Sequence, residues 1–320
     1  MNRLIVITGQ TAAGKTKLAL EYVQKLDGEL ISADSRQVYK NLDLGTGKLP
    51  DRSVKFQKED GVWVIDGVKV WGYDLVDTST QFTAYDFVRF AQNAINEITK
   101  LGKLPIIVGG TGLYIKSLIQ DLPNLSVVFD PILRKKLEKL TLMQMQQNLQ
   151  SLSIDKWNSM NNSDRQNPRR LIRALEICLN KDKKEENKIE LEKYDVLKIG
   201  LKVQRSILFQ RINKRVEKRV NLGMIEEAEN LYKLGLSIKR MKELGLEYGV
   251  LADYILGKIK TREEVIKILE KQIQKYAKRQ ETWFKKERDI NWFDINEKKY
   301  TEKVEKLVLK WYHHFDAKKN

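Results

Sequence analysis

A chain of 320 residues has room for one large domain or two, and its 42% hydrophobic residues supply a core, which excludes global disorder. Lys plus Arg number 59 against 43 Asp plus Glu, a net +16 that points either to a polyanionic partner or to a plain lysine-rich bias, since Ile and Asn are abundant too. One cysteine (Cys178) and two histidines (His313, His314) exclude an internal disulfide and a histidine-rich metal cage. No apolar run reaches the length of a membrane span, so a reducing, cytoplasmic setting is expected.

Residues 3–8 (RLIVIT) read as a short buried strand. A helix is expected from about Lys15, with Leu18, Ala19 and Val23 at helical spacing. A second strand covers Leu30–Ala33 and a third Leu104–Val108, which runs into Gly109-Gly110. Apolar strands alternating with helices predict a parallel sheet covered on both faces. Residues 62–71 differ: alternating apolar residues flank Asp66-Gly67, a hairpin signal. Residues 130–180 look helical, with Asn167 as N-cap and Pro168 at the first helical position. The charged stretch 181–193 reads as a solvated linker, and Val196–Leu201 as a return to the sheet. Everything after it reads as helical. Thr261 and Glu264 form a capping box for a helix with Val265, Leu269, Ile273 and Tyr276 on one face.

Between the first strand and its helix stands GQTAAGKT, residues 9–16, which fits G-x-x-x-x-G-K-[ST]. Gly9 and Gly14 let the backbone turn its N–H groups inward, and Gln10, Thr11, Ala12 and Ala13 contribute the amides between them. The helix start adds partial positive charge. Lys15 neutralises phosphate oxygens and the Thr16 hydroxyl can ligate Mg²⁺. The competing reading is a structural glycine turn. Such a loop identifies a ligand group and not a reaction. ATPases and kinases usually place a second carboxylate at the end of a neighbouring strand. Here Leu104–Val108 ends in Gly-Gly-Thr-Gly, and the only acid at a matching place is Asp34, followed by Ser35, Arg36 and Gln37. Arg211, Arg215 and Arg219, spaced i, i+4 and i+8, share one helix face and suit a phosphate or simply solvent.

Together, GQTAAGKT (9–16), ISADSRQVY (31–39), PIIVGGTGLY (105–114), NPRRLIRALE (167–176) and YAKRQETWF (276–284), with weaker support from LDLGTGK (42–48) and QRINKRV (210–216), resemble the tRNA dimethylallyltransferase family along nearly the whole chain. The family usually has Pro where Gln10 stands, and often a His pair near Trp71–Asp77. The resemblance implies a P-loop NTPase-like α/β fold: a core formed by residues 1–118 and 196–320, interrupted by an all-helical insertion, 119–195, that grips tRNA. It implies transfer of a dimethylallyl group from dimethylallyl pyrophosphate to N6 of the adenosine beside the anticodon, position 37. Mg²⁺ is the cofactor expected for the glycine loop, and a monomer is expected because no repeat or coiled-coil seam appears.

By the same resemblance Asp34 is the base and Thr11 bonds the bridging oxygen of the leaving group. Arg215 contacts the donor, and Gly9 to Thr16 hold its pyrophosphate. Asp34, Ser35, Arg36, Gln37 and Thr111 meet the target nucleotide, and Arg169, Arg170, Arg173, Lys278 and Arg279 meet the tRNA. The chemistry agrees. The adenine amine must lose a proton as it attacks, which a carboxylate can take. Charge builds on the departing oxygen, which donors and cations stabilise. A prenyltransferase acting on free AMP, ADP or ATP, a small-metabolite kinase and a non-catalytic RNA-binding module remain the alternatives. Trp283 and Phe284 read as core residues more than as stacking surfaces.

Overall fold

A computed structural model describes residues 2–49, 54–120, 122, 124–127, 129–180 and 194–316. Contacts divide the chain into two compact units, residues 1–119 with 191–320, and residues 120–190. In the first, β1 (Asn2–Gly9), α1 (Lys15–Lys25) and β2 (Gly28–Ala33) are followed by the short strands β3 (Phe56–Glu59), β4 (Gly61–Ile65) and β5 (Val68–Tyr73). Then come α2 (Ala84–Lys100), β6 (Leu104–Gly109) and α3 (Gly112–Ile119).

The second unit is all helical: α4 (Pro131–Leu137), α5 (Leu142–Leu152), α6 (Ile154–Asn158), α7 (Asn162–Arg165) and α8 (Pro168–Leu179). It encloses its own core of Leu137, Met145, Leu149, Met160, Leu171, Ile172, Ala174 and Leu175. The Asn167 side chain accepts from the Arg169 and Arg170 amides, with Pro168 at the first position, as the sequence signals. The linker expected over 181–193 lies outside the described residues.

The chain then returns to the first unit as β7 (Tyr194–Lys202), α9 (Arg205–Asn221), α10 (Met224–Lys233), α11 (Ile238–Leu244), α12 (Leu246–Ile255), α13 (Arg262–Phe284), β8 (Asn291–Asp294) and α14 (Tyr300–Asp316). The sheet order is β3-β4-β5-β2-β6-β1-β7-β8. From β5 to β8 every pair is parallel, with Ile5 opposite Ile106 and Leu197. Ile5 and Ile7 share one core with Leu18, Tyr22 and Val304. Leu4 and Val6 point the other way and are equally buried, so the central strands are covered on both faces. As the hairpin signal predicts, the parallel sheet carries an antiparallel meander of β3, β4 and β5 at one edge. Its turn is the expected Asp66-Gly67 pair, at φ 48° and 79°, the left-handed geometry that closes two-residue hairpins. One expectation needs correction: the C-terminal part is not wholly helical, since β8 adds an edge strand to β7.

Helices α9 to α13 build a second core in this unit. Leu208, Ile212 and Val216 pack with Leu251, Val265, Leu269 and Ile273, and with Val38 and Leu42 from the segment after β2. Burying such side chains yields about 1.5–3 kcal/mol each, more than the ~1 kcal/mol of the Thr261–Glu264 capping box. Packing therefore fixes where α9 and α13 lie. Among the described residues no helix is long and apolar enough to cross a membrane.

Candidate active site

Three loops meet at the carboxyl ends of the parallel strands, the usual ligand position in open α/β sheets: the glycine loop after β1, Asp34–Gln37 after β2 and Gly110–Thr111 after β6. Gly9 has φ 136°, and a Cβ there would lie 2.3 Å from the Leu201 carbonyl oxygen. Only glycine fits. Ala12 adopts φ 61° and Gly14 φ 93°. No side chain caps α1 at Gly14, which leaves its first amides free to face an anion. Lys15 Nζ donates to the Gln10 carbonyl at 2.8 Å. Gln10, where the family usually has proline, is buried and donates through Nε2 to the Ala277 carbonyl at 3.3 Å.

Helix α9 turns Arg215 and Arg219 toward this loop and leaves Arg211 exposed. Arg215 Nη1 donates to Thr11 Oγ1 at 3.3 Å. Arg36 pairs with Glu247, and Arg219 approaches the same carboxylate at 3.6 Å. Glu247 sits at the start of α12, after Gly245 (φ 72°) and a strained Leu246 (φ 36°). Lys15, Arg36, Arg215 and Arg219 are thus gathered with only Asp34 and Glu247 to balance them. Burial and this excess of positive charge lower the pKa of Lys15 and Arg219. Burial first, and Arg215 second, push Lys15 down to about 8, against the pull of Asp34. Burial and Arg215 push Arg219 down to about 9, and its buried Nη2 has no hydrogen-bond partner. A guanidinium does not give up its proton in a protein, so the strain registers as a demand for an anion. Arg36, Arg215, Arg219 and Glu247 line a narrow, nearly closed cleft of about 10 Å³. The lining combines polar groups, Thr11, Arg36, Arg215, Arg219 and Glu247, with apolar ones, Ala12, Ile212, Val216, Leu246 and Ile273, and the Tyr276 ring.

On the other side of the loop, Asp34 accepts the Arg36 amide at 3.0 Å and stays partly open to solvent. Thr111 Oγ1 accepts the Ser35 amide at 3.1 Å, and the Thr111 amide bonds the Ala33 carbonyl at 3.2 Å. Thr111 therefore braces the Asp34 turn as well as preceding α3. The Gln37 amide, expected to meet a base edge, is already engaged: it accepts from Ser32 Oγ at 2.6 Å and donates to the Thr46 carbonyl at 3.3 Å. It ties down the 42–48 loop, which Glu227 also grips through the amides of Asp43, Leu44 and Gly45. Gly47 (φ 67°) lies against the Arg219 and Arg215 guanidinium groups, with no room for a Cβ. Thr16 is exposed at the start of α1. Among the described residues no three His, Cys, Asp or Glu side chains gather to hold a metal.

The remaining candidates divide. Lys278 and Arg279 are exposed on α13, Arg279 lying 5.6 Å over the Tyr276 ring. Within the helical unit, Arg169 is exposed, Arg170 pairs with Asp164, and Arg173 donates to the Asn124 and Val127 carbonyls at 3.1 Å. Arg173 is thereby committed to holding its own unit together. Phe284 is a core residue, and Trp283 packs on Gly112. Sequence reasoning passed over Glu247. No local motif marks it, because elements far away in the chain supply its partners Arg36 and Arg219.

The IPP transferase family model matches residues 37–287. A tRNA dimethylallyltransferase of Bacillus cereus (strain AH820) is 36% identical over 311 residues, 94% of this chain and 93% of that protein. One from Bacillus anthracis is 35% identical over 96% of this chain and 95% of that protein. Among solved structures, the full-length tRNA isopentenylpyrophosphate transferase of Bacillus halodurans superposes with a TM-score of 0.69 at 32% identity, each chain covered completely. A eukaryotic dimethylallyltransferase captured acting on tRNA gives 0.73 at 27% identity over 92% of this chain and 74% of that one. On this match and this geometry, the chain belongs to the IPP transferase family.

Proposed function

We propose that this protein transfers a dimethylallyl group from dimethylallyl pyrophosphate to N6 of adenosine 37 in tRNAs that read U-initial codons. The observation that carries the reading is the mixed lining of the cleft: Arg36, Arg215 and Arg219 beside Thr11 of the glycine loop, together with aliphatic side chains, and Lys15 close enough to feel the charge of Arg215. A diphosphate ester of a five-carbon apolar chain combines the same two characters. Its diphosphate lies on the loop amides, Lys15, Arg215 and Arg219, and its tail lies against Ala12, Ile212, Val216 and Ile273.

Asp34, across the glycine loop, faces the acceptor. As the adenine nitrogen attacks the first carbon of the allyl group, the carbon–oxygen bond breaks and diphosphate departs with the bonding pair. The proton released from nitrogen passes to the Asp34 carboxylate. Thr11 and Arg215 meet the charge that grows on the departing oxygen. Mg²⁺, when bound, would neutralise the diphosphate further. Among the described residues no acidic cluster is placed to hold it, and the Thr16 hydroxyl would be its protein ligand.

A splayed loop base is the cheapest to bring to such a site, because unstacking costs only a few kcal/mol there. The basic residues Lys278 and Arg279 in one unit, and Arg169 and Arg170 in the other, each suit an RNA backbone. The reaction is set in the cytoplasm, with one chain sufficient. Competition between tRNA and AMP as acceptors tests the reading. Label must enter tRNA, as isopentenyladenosine, with AMP a poor substitute. Label entering AMP in preference would overturn it.

A further inference from the structure

The two halves of the proposed reaction occur on different loops, yet one side chain joins them. Gln280, on α13, is 5% exposed. Its Oε1 accepts the Thr11 amide at 2.8 Å, and its Nε2 donates to the Gly110 carbonyl at 2.9 Å. This fixes the orientation of the amide, since a flipped group would set donor against donor and oxygen against oxygen. The fit is close: a Cβ on Gly110 would lie 2.3 Å from Nε2. Beyond Gly110, Thr111 bonds Ala33 and Ser35, the two neighbours of Asp34. On the other side, Thr11 receives Arg215. One turn earlier on α13, the Ala277 carbonyl holds Gln10. The helix therefore grips the glycine loop at two successive residues and the Asp34 side through one.

We propose that Gln280 is a positioning residue that sets the separation between the leaving-group side of the site, at Thr11, and the proton-accepting side, at Asp34. Buried between them, it acts through the two loops. The inference rests on the roles proposed above for Thr11 and Asp34. In-line displacement tolerates little error, because a misplacement of about 1 Å can cost roughly 100-fold in rate. Side chains that merely fill the same space would keep α13 packed and lose the link.

The test uses the full-length protein, dimethylallyl pyrophosphate, Mg²⁺ and unmodified tRNA, with isopentenyladenosine as the readout. Gln280→Met keeps the volume and removes both hydrogen bonds. Its kcat is expected to fall about 50-fold, within that range, while KM for tRNA stays within about twofold. Gln280→Glu guards against a folding defect. When ionised it still accepts from Thr11 but confronts the Gly110 carbonyl; when protonated it regains a donor for that carbonyl. The ratio of its kcat to that of the wild type should therefore rise as pH falls from 8 to 6. A packing role would not produce that slope. Wild-type kcat in Gln280→Met, or a ratio for Gln280→Glu that does not change with pH, overturns the inference while the parent function stands. A wild-type protein that forms no isopentenyladenosine overturns both.

Discussion

The lysine of the glycine loop titrates where an experiment can reach it. Lys15 is only half-buried by its own surface, but it sits among guanidinium groups; desolvation and Arg215 together bring it down to about 8. A diphosphate needs the protonated form. Because a cation with a lowered pKa loses its proton as pH rises, donor binding must weaken on the alkaline side. The protonated fraction falls from about 10/11 at pH 7 to about 1/11 at pH 9, so the apparent Kd should rise about tenfold across that interval. Titration calorimetry with a non-reactive thiodiphosphate analogue, at constant ionic strength, measures it directly. Lys15→Arg supplies the control, since its guanidinium stays charged throughout. Its affinity is lower at every pH but flat, which separates the lysine from any titration of the ligand. A wild-type Kd that does not move between pH 7 and 9, or an equal slope in Lys15→Arg, would refute the reasoning.

Other perturbations probe other parts of the site. Asp34→Asn should lower single-turnover prenylation by about 10²- to 10⁴-fold and leave tRNA affinity, read by filter binding, nearly unchanged. Gly47→Ala forces a side chain onto a left-handed residue and into the Arg219 and Arg215 guanidinium groups; donor affinity should drop at least about tenfold, the equivalent of ~1.4 kcal/mol, with tRNA affinity kept. Neutralising Lys278 and Arg279 together should weaken tRNA binding and lower the slope of log K against log salt by roughly one to two, while kcat at saturating tRNA is preserved.

What could be read from the sequence was what is encoded locally. The strand, glycine loop and helix of residues 2–25 follow from one contiguous motif and one apolar run. The β4–β5 hairpin follows from Asp66-Gly67 between alternating residues. The strand β8 could not be read the same way. Four residues carry no period, and it is a strand only because β7 offers an edge, with Gly200 making room for Trp292. In the site, Thr11, Asp34 and Thr111 lie at strand ends where motifs mark them. Glu247 and Gln280 gain their places from helix packing, and Gln280 meets Thr11 across 269 residues of chain. Arg173 and Gln37 also have partners within the protein that their local sequence does not announce.

The central claim is that the loop at Gly9–Thr16 holds a departing diphosphate while Asp34 takes a proton from an RNA amine. Incubation of the purified protein with Mg²⁺, dimethylallyl pyrophosphate and unmodified tRNA, followed by mass spectrometry of the digested nucleosides, measures that outcome. The account predicts isopentenyladenosine, in an amount that Asp34→Asn sharply reduces. Rapid ATP cleavage with unaltered tRNA would contradict it.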